Sequence, residues 1–150
     1  YSPTGRPDGR DLIQEAKDIG YQVVHNSSGL RNVTVQGAKG KVLGLFSSSH
    51  LPYSLDANAS TPSLREMTEA ALKVLDGDKN FFLHIEGGRI DHAGHANDAA
   101  AAMAEVFAFD DAVGSVLSFM AGRADVQLVI TADHDTGGLS VGCCNYYGAN

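Results

Sequence analysis

Glu86-Gly87-Gly88-Arg89-Ile90-Asp91-His92-Ala93-Gly94-His95, with Asp133-His134 further along, places carboxylates and imidazoles at spacings that suit metal-assisted chemistry. A mixed Asp/His set matches the borderline preference of zinc, and a carboxylate alone, as at Glu86, is better matched to magnesium. Two ligand sets at the ends of two apolar runs are what a two-metal centre acting on a phosphorus or sulfur ester requires. Each piece alone has a plainer use. An i,i+4 Asp/His pair can be a surface pair, Asp133-His134 can be a cap and a turn residue, and Glu86 can be an exposed acid. Their conjunction selects the metal reading.

The elements that must position these residues alternate along the chain. A helix is predicted from a cap at Asp8 to about Ile19, stopped by Gly20, then a short strand at Tyr21–His25. A Ser/Gly/Asn-rich loop leads to a second strand at Lys41–Phe46, and a polar, turn-rich stretch with Pro52 runs to Thr61. There a helix begins with two overlapping signals. Pro62 suits the first helical position, while Ser63 and Glu66 have capping-box spacing. That helix stops near Gly77. A strand at Phe81–Ile85 feeds the ligand-bearing loop. An Ala-rich helix follows from about Asn97 to Met120, closed by Gly122, and a last strand covers Val126–Thr131.

Continuous apolar strands separated by helices predict an α/β fold with a mostly parallel sheet sandwiched between helices, without a domain boundary or an internal repeat. In such sheets, sites form beyond the carboxyl ends of strands, where Glu86 and Asp133-His134 fall. One turn of helix would aim Asp91 and His95 the same way. Gly87, Gly88 and Gly94 suit a crowded loop. His84, inside a strand, is expected to face the core. His25 and His50 read as loop residues, and Met103, Val106, Phe107, Phe109, Val113 and Leu117 as the packed face of the long helix.

Composition agrees with an ordinary globular chain. Of 150 residues 43% are hydrophobic and 19% charged, which excludes a disordered or fibrous polypeptide. The net charge of −7, without a Lys/Arg cluster, excludes nucleic-acid specificity. No apolar run approaches the roughly 18–20 residues needed to span a bilayer. Because the first residue is Tyr1, any signal peptide or anchor is expected outside the sequence. Cys143 and Cys144 are adjacent, a strained geometry for mutual pairing, so they are read as free thiols or as bonded to other partners. Sequons at Asn26, Asn32 and Asn58 lie in polar stretches read as surface loops; they favour glycosylation and a secreted, vacuolar or membrane-anchored lumenal location.

The stretches Glu86–Asp98 and Thr131-Ala132-Asp133-His134-Asp135-Thr136-Gly137-Gly138 closely resemble the alkaline phosphatase family, most of all its fungal and bacterial branches. Further matches run through Gly5–Leu12, Pro62–Thr68 and Glu105–Asp110, so the resemblance covers nearly the whole chain. It implies a homodimeric phosphomonoesterase with two zinc ions, one magnesium ion, a serine nucleophile and small phosphate monoesters as substrates. Three such ions would offset much of the acidic excess.

Carried over by position, the resemblance makes Asp91 and His95 ligands of the first zinc, Asp133 and His134 ligands of the second, and Glu86 a magnesium ligand. His92 falls at a variable place beside the magnesium and phosphate. Arg89 is not the family's phosphate clamp. No Asp-Ser-Ala nucleophile motif occurs in the sequence. The nucleophile, the clamping arginine and the other magnesium ligands are expected before Tyr1, and a third zinc-ligand His after Asn150. Residues 1–150 therefore read as the central-to-C-terminal part of one alkaline phosphatase-like α/β domain, inactive alone. Two alternatives use the same residues: a sister phosphodiesterase, sulfatase or phosphate mutase, and a non-catalytic metal-binding or interaction module.

Overall fold

The computed structural model describes residues 6–35, 40–77 and 79–140, with helix ends placed by local chemistry that can be named residue by residue. Helix α1 (Leu12–Asp18) is capped by Asp11, whose carboxylate accepts from the backbone N–H groups of Ile13 and Gln14. Asp11, not Asp8, is the cap, because the Asp8 carboxylate is taken by Arg6 and by the backbone N–H of Arg10. Gly20, at φ 91°, turns the chain into strand β1 (Tyr21–Val24).

The stretch read as a loop after β1 is instead helix α2 (Ser27–Val35). Asn26 starts it, its side-chain oxygen accepting from the Gly29 N–H and the Ser28 hydroxyl. Gly29 and Asn32 weakened the helical signal, yet Leu30 and Val33, three apart, are both buried. Asn32 is thus an exposed helical residue, and the loop expectation for its sequon is corrected; Asn26 and Asn58 do lie outside helices. Strand β2 (Lys41–Gly44) returns parallel to β1, pairing Tyr21 with Lys41 through Val24 with Gly44. The unit β1–α2–β2 is a parallel crossover, the building block expected of an α/β fold.

Helix α3 (Leu64–Leu75) begins with a complete capping box between Ser63 and Glu66, so Pro62 sits one residue before the cap and is fully buried. Val24, Leu30, Val33 and Ala70 form the central apolar cluster, with Val42, Phe46, Met67 and Val74 packed against it. Helix α4 (Arg89–His95) and helix α5 (Ala99–Met120), the latter capped by Asp98, complete the element order. Helix α5 packs on both α3 and α4.

Three expectations change here. The face of α5 that packs carries Ala101, Glu105, Ala112, Ser115 and Val116, whereas Met103, Val106, Phe107 and Leu117 are exposed and Phe109 and Val113 half-buried. Small residues allow close helix approach, and an Ala-rich helix apolar on every side gives no stripe from which the packed face can be read. The runs Phe81–Ile85 and Val126–Thr131 join no ladder among the described residues, where the sheet has two strands. A strand needs a neighbour about 4.8 Å away to hydrogen-bond with. Burial still alternates along the first run: Phe81, Leu83 and Ile85 are half-buried, and Phe82 and Glu86 are exposed. His84 belongs to the exposed set, against the expectation that it faces the core.

Candidate metal centre

Asp91 and His95 meet on one side of α4, as their four-residue spacing requires, with His95 Nε2 3.4 Å from Asp91 Oδ1. The segment after residue 130 brings in the second pair. His134 Nε2 lies 3.4 Å from Asp133 Oδ2 and 3.7 Å from Asp91 Oδ1. Asp91 Oδ1 therefore stands between two imidazoles, whose ring centres are 6.5 Å apart.

Gly94 explains how the two segments come so close. A Cβ on it would fall 2.9 Å from Thr136 Cβ, and Gly137 packs against the Gly94 carbonyl oxygen. Only glycine at position 94 lets the Asp133–Gly138 loop rest on α4.

Asp91 Oδ1 is buried and has no hydrogen-bond partner, an expensive state for a carboxylate oxygen. The distances to its neighbours exceed those of good N–H···O bonds. They match another arrangement: atoms bound about 2.0–2.1 Å from a tetrahedral cation stand roughly 3.3–3.4 Å from one another. The Asp91–His95 and Asp133–His134 pairs both have that separation. Among the described residues no three or more His, Cys, Asp or Glu side chains converge as a ready cation cage. The residues present fit two partial ligand sets side by side.

Glu86 contributes no hydrogen bond or ion pair to these four residues; it is exposed, with its carboxylate folded over Gly88, where a Cβ would meet Oε1 at 3.0 Å. His92 faces another environment. Its Nδ1 is 2.8 Å from Arg89 Nη1, and its ring lies edge-on to His50 at 4.3 Å. Arg89 stacks on Tyr53, 3.8 Å from its ring centre. His25 follows β1, its Nδ1 3.1 Å from the Leu45 carbonyl oxygen. Sequence reasoning missed His50, Tyr53 and Thr136 as neighbours of the site, since no local periodicity links them to α4. Cys143 and Cys144 lie outside the described residues.

The alkaline phosphatase family model matches residues 2–150. The chain belongs to the alkaline phosphatase family. It is 40% identical to alkaline phosphatase 3 of Bacillus subtilis over 139 residues, which are 92% of this chain and 29% of that protein. With the repressible alkaline phosphatase of Saccharomyces cerevisiae it shares 44% over 147 residues, 89% of this chain and 26% of the relative. The crystal structure of a cold-active alkaline phosphatase from a psychrophilic Shewanella superposes with a TM-score of 0.80 at 39% identity, covering 91% of this chain and 33% of that one. The chain thus spans about a quarter to a third of the length of these relatives, and its fold is the corresponding part of an alkaline phosphatase-like α/β structure.

Proposed function

We propose that this chain supplies half of a two-zinc, one-magnesium centre that hydrolyses small phosphate monoesters. The observation that carries the reading is the buried Asp91 Oδ1, without a hydrogen-bond partner and within 3.4 and 3.7 Å of the His95 and His134 Nε2 atoms. Asp91 and His95 would hold the first zinc, Asp133 and His134 the second, and Glu86 the magnesium. Bound together, such cations stabilise the charge on both the attacking and the leaving oxygen of an in-line displacement at phosphorus.

This chain's own residues fix the ligands. Helix α4 holds Asp91 and His95 in register, and the contact of Gly94 with Thr136 presses the Asp133–His134 segment against them. His92, held by Arg89, follows Asp91 in the same helix. Recognition of the phosphoryl group alone leaves the ester's other substituent uncontacted, so broad monoester specificity follows. The serine nucleophile, the phosphate-clamping arginine and the remaining ligands belong to other parts of the full-length protein, of which residues 1–150 are the central-to-C-terminal portion of one domain. That protein is a homodimer in a secreted, vacuolar or membrane-anchored lumenal setting, with glycans on Asn26, Asn32 and Asn58, all exposed. No helix among the described residues is long and apolar enough to cross a membrane.

The test compares three substrates on the full-length, metal-loaded protein: p-nitrophenyl phosphate, bis-p-nitrophenyl phosphate and p-nitrophenyl sulfate. Preferential turnover of the monoester, abolished by chelation and restored by zinc with magnesium, is expected. Preference for the diester or the sulfate would replace this reading with a sister activity, and zinc binding without any turnover would leave a metal-binding module.

A further inference from the structure

Glu105 is a carboxylate in the packed face of α5, only 8% exposed, in the helix that follows His95. Its Oε1 accepts the backbone N–H of Ser54 at 2.5 Å. An apolar residue would fill that place without the cost of burying a charge, so the carboxylate must do something that packing alone does not. What it does is tie the loop after β2 to α5. Next to Ser54 in that loop is Tyr53, the ring beneath the Arg89 guanidinium at 3.8 Å, and His50 from the same loop meets the His92 ring at 4.3 Å. Arg89 in turn reaches His92 Nδ1 at 2.8 Å. A guanidinium only donates, so His92 Nδ1 is the acceptor.

We propose that Glu105 and Tyr53 are positioning residues: Glu105 anchors the loop, Tyr53 braces Arg89, and Arg89 fixes the ring of His92, which follows Asp91 in α4. Among the described residues no hydrogen bond or ion pair joins Glu105, Tyr53 or Arg89 to the proposed ligands, so the relay acts on turnover and not on metal content. The inference rests on the phosphatase reading above and adds residues that reading does not need. A flat ring under the guanidinium and an oxygen acceptor for Ser54 are the two chemical requirements, and each has a conservative substitution that keeps it.

The experiment uses the full-length, metal-loaded protein with Glu105→Leu, Glu105→Gln, Tyr53→Leu and Tyr53→Phe, measuring kcat and KM for p-nitrophenyl phosphate, bound zinc, and hydrogen exchange of the Ser54 amide. Glu105→Leu and Tyr53→Leu are expected to lower kcat about tenfold with zinc per chain unchanged. Glu105→Gln and Tyr53→Phe should stay within about twofold of wild type. Exchange at Ser54 should accelerate in Glu105→Leu and remain slow in Glu105→Gln. If Glu105→Leu does not fold, the Tyr53 pair decides. Wild-type kcat in Tyr53→Leu, or a loss that follows lost zinc, would overturn the relay while leaving the phosphatase reading intact. A wild-type protein without turnover overturns both, and that is read before any variant is compared.

Discussion

At the residue scale, Asp91 is central: its Oδ1 lies between two imidazoles at distances too long for hydrogen bonds, and its 3.4 Å separation from His95 is the one expected of co-ligands of a cation. Asp133 is more open, and its value lies in completing the pair with His134. In the full-length protein Asp133→Ala is expected to release one zinc per chain. It should also lower kcat/KM by more than the ~10–100-fold typical of losing an outer-shell partner. Zinc analysis alongside steady-state kinetics checks this; full zinc content at a normal rate would remove Asp133 from the centre. That Asp91 and His95 meet was legible in the sequence, because a four-residue spacing on a helix brings their side chains together. Their neighbours were not: Tyr53 reaches Arg89, and Glu105 reaches Ser54, across separations that only the tertiary fold closes.

At the element scale, caps and contacts decide where helices begin and how they meet. The capping box at Ser63 and Glu66 was legible because both partners lie three residues apart, and it overrode the competing Pro62 signal. Helix α2 was hidden by polar and glycine residues whose weak propensity is outweighed by burial of Leu30 and Val33. The contact between α4 and the Asp133–Gly138 loop depends on Gly94, so Gly94→Ala must push Thr136 away. Overpacking of this kind costs about 1–3 kcal/mol. The expected outcome is a lower unfolding midpoint together with weakened zinc binding at the second pair, read by chemical denaturation and zinc titration.

Where α3 meets α5, the Arg65 guanidinium beside Glu69 holds its carboxyl below the ordinary carboxylate value, and the Ser115 hydroxyl adds to the effect. A depressed folded-state value contributes stability above the ordinary value of 4.5, and that contribution is lost as pH falls through the folded value. Glu69→Gln should therefore be less stable than wild type near neutrality and converge with it in acid. Because the pair is half-exposed, the neutral-pH difference should stay below about 1 kcal/mol. Urea unfolding from neutral pH into acid measures it; a difference that grows toward acid would contradict the assignment.

At the scale of the whole molecule, the α/β class was legible from the alternation of apolar runs and helices, and β1–α2–β2 shows it directly. The full extent of the sheet was not, because Phe81–Ile85 and Val126–Thr131 carry strand-like sequences but no paired neighbour among the described residues. Phe82 is 90% exposed and Val129 74%, and a chain covering 26–29% of its relatives leaves such surfaces without the rest of the fold around them. The 150 residues prepared alone are expected to show no measurable hydrolysis of p-nitrophenyl phosphate in the presence of zinc and magnesium. Turnover by that preparation would show that the catalytic group lies within these residues.

The most direct measurement counts metal: zinc per chain in the full-length protein by mass spectrometry, for wild type and for Asp91→Ala, His95→Ala and His134→Ala. The account predicts two zinc ions in the wild type, a loss of one on substitution of His95 or His134, and loss of one or both on substitution of Asp91, which lies beside both imidazoles. Two zinc ions retained in all three variants would contradict it, since the cations would then be held by residues other than those at the centre of the site.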